Sequence, residues 1–263
     1  SGDGSIVAIG APNNDGNGYD TTGHVRIYNW NGTSWTQIGG DINGEGDPDG
    51  SGYSVSLSSD GSVVAIGAPY NDENGSYSGH VRIYAYNGTS WNQLGGDIDG
   101  EAAGDESGYS VSLSSYGNTV AIGARHNDGN GSNISGHVRI YNWDGTTWTQ
   151  LGQDIDGEAA GDKSGYSVSL SSDGNTVAIG ARSNDGNGSH SGHVRIYNWD
   201  GTTWTQIGQD IDGEGGGDQS GWSVSLSSDG NTIAIGAHEN DGNGSNSGHV
   251  RIYNWDGTTW TQI

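Results

Sequence analysis

Three segments of the chain place carboxylates at the close spacing that hard cations require. Each follows the pattern Asp-x-Asp-Gly-Glu-x3-Asp, and together they supply Asp97, Asp99, Glu101, Asp105, Asp154, Asp156, Glu158, Asp162, Asp210, Asp212, Glu214 and Asp218. Oxygens at i, i+2 and i+4 around a glycine turn can converge on Ca²⁺, which takes about six to eight oxygen ligands. Solvated acidic loops that cap backbone N–H groups would have the same composition. The pattern therefore predicts either calcium sites or acidic loops, and it indicates no organic cofactor.

A further acidic position recurs in a loop that reads Asn-Asp-Gly-Asn-Gly in its regular copies, as at 14–18 and 127–131. Its aspartates are Asp15, Asp72, Asp128, Asp185 and Asp241. Asp and Asn are favoured in turns with positive φ, so a structural role is the first interpretation. The second interpretation is a loop rim that binds an ion or a sugar.

Histidine and arginine recur two residues apart, as His80 with Arg82 and His193 with Arg195. On a β-strand this spacing places both side chains on one face. Histidines of different repeats should lie far apart, so they are not expected to share a zinc ion, which needs nitrogen ligands at about 2.0–2.1 Å. Each arginine is predicted to pair with a loop carboxylate of a neighbouring repeat. The serines have no recurring His and Asp partners, so the residues indicate no nucleophilic catalysis.

These residues belong to an internal repeat of 56 or 57 residues, marked by the sequence Ala-Ile-Gly-Ala at Ala8, Ala65, Ala121, Ala178 and Ala234. Periods of this size are typical of units that bury their faces by stacking on neighbours. The third complete copy contains four predicted strands, A to D, at 166–170, 176–180, 193–197 and 203–207. Asn-Gly or Asp-Gly between strands C and D, as at Asp200 and Gly201, predicts a tight type I′ hairpin turn.

Four antiparallel strands per repeat and one long crossover to the next predict an all-β fold, a five-bladed β-propeller with strand A on the central channel. The predicted domain is 1–263, with units at approximately 1–51, 52–107, 108–164, 165–220 and 221–263. Strands B, C and D occur five times, whereas strand A occurs four times, at Tyr53, Tyr109, Tyr166 and Trp222. Either the missing strand was cut away, or a neighbouring chain supplies it, or the chain is part of a longer array. Because an unpaired edge recruits a strand, we expect self-association through the incomplete blade.

Composition excludes several classes of function. The chain has 32 acidic and 8 basic residues and a net charge of −24, so polyanions such as nucleic acids should be repelled. It has no cysteine, which excludes disulfides and thiolate chemistry. No apolar run approaches the length of a membrane helix, so membrane insertion is not expected. Low hydrophobicity with high charge is typical of disorder, but the regular repeat overrules that interpretation.

Residues in the repeat resemble FG-GAP repeats of the integrin-α type, and more closely the FG-GAP-like repeats of secreted bacterial proteins. The segment 52–55 stands where that family has Phe-Gly and its following strand, 67–69 reproduces Gly-Ala-Pro, and 79–84 matches Gly-x-Val-x-Val-Tyr. The resemblance implies a propeller, a secreted or cell-surface location, and a role in adhesion or ligand binding. The calcium loop that integrin-type repeats often carry between their first two strands is replaced here by a short turn.

The chemistry and the resemblance together predict a non-enzymatic extracellular module for binding, adhesion or structure, with a protein or glycan ligand at a loop rim. The alternative is a multivalent lectin that stacks sugars on Trp35, Trp91, Trp148, Trp204 and Trp260. Such tryptophans would otherwise belong to the core between blades. A hydrolase that uses carboxylates of the central channel is a third and lesser hypothesis.

Overall fold

The computed structural model describes residues 1–15, 21–131 and 133–263, except for the side chain of Asn130. Within these residues the regular structure is β-strand, apart from a short 3-10 helix at Gly129–Gly131. None of the described helices is long and apolar enough to cross a lipid bilayer. Gly16, Asn17 and Gly18 of the first acidic loop lie outside the described residues.

The strands form five sheets that follow one another along the chain. The first contains β1 (Ile6–Ala11), β2 (His24–Trp30), β3 (Trp35–Gln37) and β4 (Ile42–Asn43). The second contains β5 (Ser54–Leu57), β6 (Val63–Ala68), β7 (His80–Tyr86), β8 (Trp91–Gln93) and β9 (Ile98–Asp99). The third contains β10 (Ser107–Leu113), β11 (Thr119–Ala124), β12 (His137–Trp143), β13 (Trp148–Gln150) and β14 (Ile155–Asp156).

The fourth sheet contains β15 (Ser167–Leu170), β16 (Thr176–Ala181), β17 (His193–Trp199), β18 (Trp204–Gln206) and β19 (Ile211–Asp212). The fifth contains β20 (Ser220–Leu226), β21 (Thr232–Ala237), β22 (His249–Trp255) and β23 (Trp260–Gln262). Strands A, B, C and D of a repeat are hydrogen-bonded in that order, as in β15-β16-β17-β18, and the paired strands are antiparallel. Repeated four-stranded antiparallel sheets of this kind make up a five-bladed β-propeller, so the predicted fold class is confirmed.

The first sheet begins with a B strand, as the count of repeats predicts. In the described part of the chain, β1 pairs with β2 only, whereas β6 and β16 each have an A strand on their other edge. Self-association through this edge stays a prediction.

The chain divides into two compact units, Ser1–Ile122 with Tyr141–Thr149, and Gly123–Ile140 with Gln150–Ile263. Each unit has its own apolar core, built by stacking successive sheets. In the second unit, Val194 and Ile196 of strand C pack with Ile233 and Ile235, which lie on strand B of the next sheet. The alternation of strand residues thus buries one face of each sheet against its neighbour, as the repeat period indicates. The predicted single domain and its unit boundaries stay predictions.

The crossovers contain two-residue strands that the sequence did not predict. In β9, Ile98 pairs with Val81 and Asp99 pairs with His80, at the start of β7. The isoleucine is buried, so the crossover is anchored to strand C by one apolar side chain and a two-residue ladder. This anchoring fixes the position of the acidic residues that flank it.

The C–D hairpins form at the predicted positions, but their turns differ from type I′. Trp199 pairs with Trp204, so the loop has four residues, and Gly201 has a positive φ while Asp200 does not. The Asp200 carboxylate instead accepts hydrogen bonds from the backbone N–H groups of Thr202 and Thr203, both at 2.8 Å. The side chain takes the place of a backbone turn, which removes the need for a second positive φ.

This capping predicts acid sensitivity. Hydrogen bonds from backbone N–H groups and threonine hydroxyls lower the pKa of Asp144 and Asp200 to about 2 and also lower the pKa of Asp256. Because these folded-state pKa values lie below the ordinary value of 3.8, the stabilisation is complete above pH 3.8 and is lost as the pH falls toward 2. We expect the decrease in melting temperature between pH 5 and pH 2 to be smaller in the triple variant Asp144→Asn, Asp200→Asn, Asp256→Asn than in the wild type.

The first two repeats supply the reverse control for this measurement by thermal denaturation. Asn31 and Asn87 already cap the same turns through their side-chain oxygens. Replacing both with Asp should steepen the acid dependence. Equal pH profiles for the wild type and the two variants would show that these caps do not contribute to acid unfolding.

Candidate metal centre

Four titratable side chains of the first unit converge near the start of β7. His80 is the first residue of that strand, and Asp97 lies just before β9, which is paired to it. Glu45 comes from the crossover of the first sheet, and Glu73 comes from the loop between β6 and β7. One potential ligand atom from each lies within 4.8 Å of those of the others. The four residues, here called the four-residue cluster, could therefore hold a metal ion.

His80 is the buried member of the four-residue cluster, with 1% of its surface exposed. Neither Nδ1 nor Nε2 has a hydrogen-bond partner, and Nδ1 lies 3.8 Å from Oδ2 of Asp97. Burial, and then the positive charge of Arg82, lowers the pKa of His80 to about 4, so the imidazole is neutral at pH 7. A buried polar group without a partner is costly, and a neutral imidazole is a metal ligand. The histidine therefore fits a bound cation.

Arg82 positions the carboxylate that comes from the neighbouring sheet. Its Nη1 atom lies 3.2 Å from Oε1 of Glu45, and its Nη2 atom donates to the carbonyl of Asn43 at 2.8 Å. For Arg82, this contact confirms the predicted pairing of a strand arginine with a loop carboxylate of the adjacent repeat. Burial raises the pKa of Glu45, Arg82 opposes that shift, and the nearby Asp97 and Glu73 carboxylates raise it again. A cation among these carboxylates would offset their mutual repulsion.

A cleft adjoins the four-residue cluster through Asp97. It has a volume of about 330 Å³, and its lining includes Asp97, Asp99, Tyr141, Thr147 and Trp148. The carboxylates and the hydroxyl can bind hydroxyl groups, and aromatic side chains can contact the apolar face of a sugar-like ring. Its size and lining are suited to a small polar molecule.

The second unit contains a smaller version of the four-residue cluster. His193 Nδ1 lies 3.9 Å from Oε2 of Glu158 and 3.9 Å from Oδ2 of Asp210, and these three residues could also hold an ion. Arg195 lies 3.6 Å from Glu158, which repeats the pairing of Arg82 with Glu45. No carboxylate corresponds to Glu73, because Gly186 occupies that position. Burial and Arg195 lower the pKa of His193 as well.

One residue that departs from the repeat could have indicated this site from the sequence. Glu73 stands where the other four repeats have Gly16, Gly129, Gly186 and Gly242. A single acidic departure in a conserved loop position could have marked the second repeat. The grouping of His80 with carboxylates was missed, because the histidines were compared with one another and not with the loops of the preceding repeat.

The predicted crossover sets are divided between different surroundings. Asp97 and Asp210 join the histidine clusters, as do Glu158 and its first-sheet counterpart Glu45. The last aspartate of each set is a loop cap: Asp162 is buried and accepts from the backbone of Ala159 and the side chain of Asn184, both at 3.0 Å. Asp105 and Asp218 are buried too and accept equivalent backbone bonds.

The remaining carboxylates of the crossover sets have other contacts or are exposed. Asp99 lines the cleft, and Asp212 is exposed. Asp156 accepts a hydrogen bond from Arg195 through its backbone carbonyl at 2.7 Å, and Arg251 makes the same bond to Asp212. Asp154 accepts from the side chain of Gln150 at 2.6 Å. Glu214 lies 3.7 Å from His249, and Glu101 is exposed. The clusters themselves combine carboxylates of successive crossovers, Glu45 with Asp97 and Glu158 with Asp210.

The loop aspartates have a structural contact in each copy. Asp72, Asp128, Asp185 and Asp241 accept backbone N–H bonds of 2.7 to 2.8 Å, and their donors are Tyr77, Ile134, His190 and Asn246. Those donors all have positive φ, near 55°. Asp15 makes a longer bond of 3.4 Å to Thr21. The carboxylates therefore hold strained loop residues in place, in line with the structural interpretation of this loop.

The tryptophans of strand D are mainly core residues. Trp204 and Trp260 are buried, and their indole N–H groups donate to the carbonyls of Leu151 and Ile207 on the preceding repeat, at 2.8 and 3.1 Å. Trp91 and Trp148 make equivalent bonds to Ile38 and Leu94. Trp35 is exposed.

Comparison with known proteins supports the repeat assignment. The family model for the FG-GAP repeat matches residues 155–197 and 210–253. These two segments begin at β14 and near β19, and each continues through the A, B and C strands that follow. The predicted resemblance to FG-GAP repeats is confirmed over these residues. No curated protein sequence gives a significant match.

Solved structures show the same type of fold at low sequence identity. A periplasmic gluconolactonase from Pseudomonas aeruginosa is 13% identical, with a TM-score of 0.59; the match covers 91% of this chain but 62% of the gluconolactonase chain. A proposed 6-phosphogluconolactonase from Bacteroides uniformis is 11% identical, with a TM-score of 0.51, and the match covers 98% of this chain and 82% of that one.

These neighbours correct the functional prediction. The sequence predicted a non-enzymatic binding, adhesion or structural module, with a lectin as the alternative. Both predictions are wrong, because the solved structures that share this fold are named as enzymes. Two of the five strand-D tryptophans are also buried, and two more are half-buried, which leaves little of the surface on which the lectin hypothesis depended. The chain is similar to lactonase propellers in fold and to FG-GAP repeats in sequence.

Proposed function

We propose that the protein is a hydrolase of small, hydroxyl-rich esters or lactones that acts at a divalent metal ion in the four-residue cluster. The observation that carries this proposal is the buried His80, whose two nitrogens lack hydrogen-bond partners and which faces three carboxylates beside a cleft. The substrate class is supported by the gluconolactonase names of the structural neighbours.

The donor set indicates which residues hold the ion. Glu73, His80 and Asp97 supply two carboxylates and one imidazole, and three protein ligands are the usual complement of a catalytic site with an open position. Imidazole with carboxylates suits Zn²⁺ or Mn²⁺. Ca²⁺, predicted for the crossover carboxylates, prefers oxygen ligands and is the second candidate. A bound ion supplies a Lewis acid that polarises an ester carbonyl.

The remaining residues have roles that follow from their surroundings. Glu45 has a raised pKa and is held by Arg82, so it is the carboxylate best suited to accept a proton from an attacking water. Water adds to the ester carbonyl carbon and gives one proton to Glu45. The carbon–oxygen bond to the leaving group then breaks, and Glu45 passes that proton to the leaving alkoxide oxygen. Asp99 and Thr147 can orient substrate hydroxyls in the cleft, and Trp148 provides an apolar wall.

The direct test is hydrolysis of glucono-δ-lactone, followed by acid release at constant pH. Treatment with a chelator should abolish activity, and Zn²⁺, Mn²⁺ or Ca²⁺ added separately should identify the ion that restores it. Asp97→Asn should lower kcat/KM at least about 100-fold, since loss of even an outer partner of a metal ligand costs roughly 10–100-fold. Asp212→Asn removes one charge from an exposed crossover position and should leave the rate unchanged.

Activity toward no lactone or ester with any of the three ions would overturn the proposed function. Hydrolysis that survives both chelation and Asp97→Asn would place the chemistry elsewhere in the chain.

We further infer that the protein works outside the cytoplasm. The periplasmic location named for the Pseudomonas neighbour supports this proposal, as does the resemblance to repeats of secreted proteins. The chain also lacks cysteine, so an oxidising compartment would not alter it. Detection of the native protein in a periplasmic or culture-medium fraction would test the inference, and its retention in the cytoplasm would refute it.

A further inference from the structure

We propose that the first unit contains a second binding site, which takes an organic ammonium group such as the trimethylammonium head of choline. The site is a cavity of about 200 Å³ lined by Pro48, Tyr70, Tyr77 and Glu106, here called the tyrosine pocket. It lies within the first unit and shares no lining residue with the four-residue cluster. Pockets for drug-sized ligands span about 300–1,000 Å³, so the tyrosine pocket is suited to a single substituent and not to a large molecule.

Backbone hydrogen bonds fix the three chain segments that form the tyrosine pocket. Tyr70 lies two residues after β6, and its N–H donates to the carbonyl of Asp49 at 3.2 Å. The N–H of Glu106 donates to the carbonyl of Tyr77 at 3.0 Å. Tyr77 and Glu106 also have positive φ angles of 55° and 56°, a conformation that persists only where the surroundings hold it. The lining groups are therefore in place before a ligand binds.

The tyrosines form an aromatic corner. The ring centroids of Tyr70 and Tyr77 are 5.8 Å apart, and the ring planes meet at 82°. Tyr53 supports Tyr70 in a similar way, at 5.9 Å and 78°. Two perpendicular rings bound a corner with one face from each ring, and ring faces carry the negative part of the aromatic quadrupole. A cation in this corner is attracted by both rings, whereas a neutral group of the same shape gains only the apolar contact.

The charge around the tyrosine pocket also favours a cation. Of the described residues that line it, Glu106 alone is charged. In residues 1–122, the only lysine or arginine side chains are those of Arg26 and Arg82, and they pair with Asp41 and Glu45. The whole chain has a net charge of −24. An anion would therefore be repelled, and a neutral ligand would gain nothing from the carboxylate.

Three residues of the tyrosine pocket depart from the repeat. Their counterparts in the following repeats are His126, Ser183 and Glu239 for Tyr70; Ile134, His190 and Asn246 for Tyr77; and Lys163 and Gln219 for Glu106. The three counterparts of Tyr77 keep its backbone conformation, with φ angles of 52° to 55°. The loop therefore forms without the ring, and the fold does not account for the presence of a tyrosine there. A ligand does account for it.

Isothermal titration with choline chloride would test the proposal, with NaCl added so that the ionic strength stays constant. We expect one choline to bind per chain. The second probe is the neutral carbon analogue of choline, in which a tert-butyl group replaces the trimethylammonium group. It should bind roughly 5- to 30-fold more weakly, which is the loss expected when a partly buried cation–π contact is removed.

Substitutions that the repeat already accommodates locate the site. Tyr77→Ile introduces the residue type of Ile134 and should weaken choline binding roughly 5- to 30-fold, because it keeps apolar bulk but removes a ring face. Tyr77→Phe keeps the ring and should bind choline like the wild type. Glu106→Gln introduces the residue type of Gln219, which has a φ of 53°, and should weaken binding about 5-fold at low salt.

Glu73→Gly is the matched control for charge. It removes a carboxylate from the loop that carries both tyrosines, but Glu73 does not line the tyrosine pocket, so this variant should bind choline like the wild type. Circular dichroism would establish that each variant is folded. No measurable binding of choline, equal affinity for the neutral analogue, or unchanged affinity in Tyr77→Ile would overturn the proposal. So would a loss of choline binding in Glu73→Gly, which would place the ammonium group in the four-residue cluster.

Discussion

Replacing Glu73 with glycine is expected to lower the affinity of the four-residue cluster for the proposed divalent ion at least about 100-fold, since even outer-shell partners of a metal contribute roughly 10–100-fold. The substitution restores the residue that the other four repeats carry, so the loop should keep its fold. The backbone N–H of Glu73 donates to Oδ1 of Asn71 at 2.9 Å, and a glycine can make the same bond. Isothermal titration with Zn²⁺ and Mn²⁺, after removal of bound metal, would measure the loss.

The reverse substitution supplies a gain-of-function control. Gly186→Glu should add the counterpart of Glu73 beside His193 and Asp210, near Glu158, and should create a second tight site. Gly186 does not have a positive φ, and its N–H bonds Oδ1 of Asn184 at 2.8 Å, so its turn matches the one that accommodates Glu73. The nearest atom to an added Cβ is that same Oδ1, at 2.9 Å, which is the end of a side chain.

The two substitutions together test the site independently of activity. Unchanged affinity in Glu73→Gly, combined with no new binding in Gly186→Glu, would show that Glu73 is not a ligand. The expected result is the opposite: the number of ions bound tightly per chain should rise by one in Gly186→Glu and fall in Glu73→Gly.

Replacing Gly180 with alanine is expected to destabilise the fold by roughly 3 kcal/mol, at the upper end of the usual cost of overpacking. A Cβ at this position would lie 2.2 Å from the backbone carbonyl oxygen of Gly221 on the next sheet. That oxygen accepts a hydrogen bond from the Ser167 hydroxyl at 2.8 Å and cannot move without loss of the bond. The apparent Tm should fall by roughly 6–12 °C, given about 2–4 °C per kcal/mol for a chain of this size.

Gly236→Ala is the matched control for Gly180→Ala. Gly236 occupies the same position on the last sheet, and its Cβ would meet the hydroxyl of Ser223 at 2.4 Å, as that of Gly180 would meet Ser167. No carbonyl of a following sheet lies within 3.5 Å of it, because the nearest backbone oxygen is that of Ser223 at 3.7 Å. The control should lose much less stability. Equal losses in the two variants would mean that the close approach between sheets does not determine the cost.

Local patterns were predictable from the sequence because they depend on neighbouring residues. The strand alternation around Ala178 and the Asp200–Gly201 hairpin need only a few positions each, and both were found. The turn type was not predicted, because it is set by two threonine N–H groups that both donate to the Asp200 carboxylate. Likewise, the two-residue strand β9 is too short to leave a periodic signal.

The candidate centre was harder to predict because it depends on distances between sheets. Glu45 and His80 belong to different repeats, and only stacking of the first sheet on the second brings them together. Several crossover carboxylates, among them Asp97, were predicted from the sequence as ligands of an ion, and this stays a prediction. Their partners were not predicted, since spacing along one segment says nothing about which segment packs above it.

The placement of Glu45 has a consequence for cooperativity. In stacked repeats each sheet is stabilised mainly by its neighbours, and a single sheet can open locally before the whole chain unfolds. Glu45 is the one member of the four-residue cluster that the first sheet contributes, and Arg82 of the second sheet holds it. Fraying of the first sheet would withdraw the proton acceptor without disturbing Glu73, His80 or Asp97. The proposed hydrolysis would then be lost at a lower temperature than ion binding, and the site would report on the contact between the first two sheets.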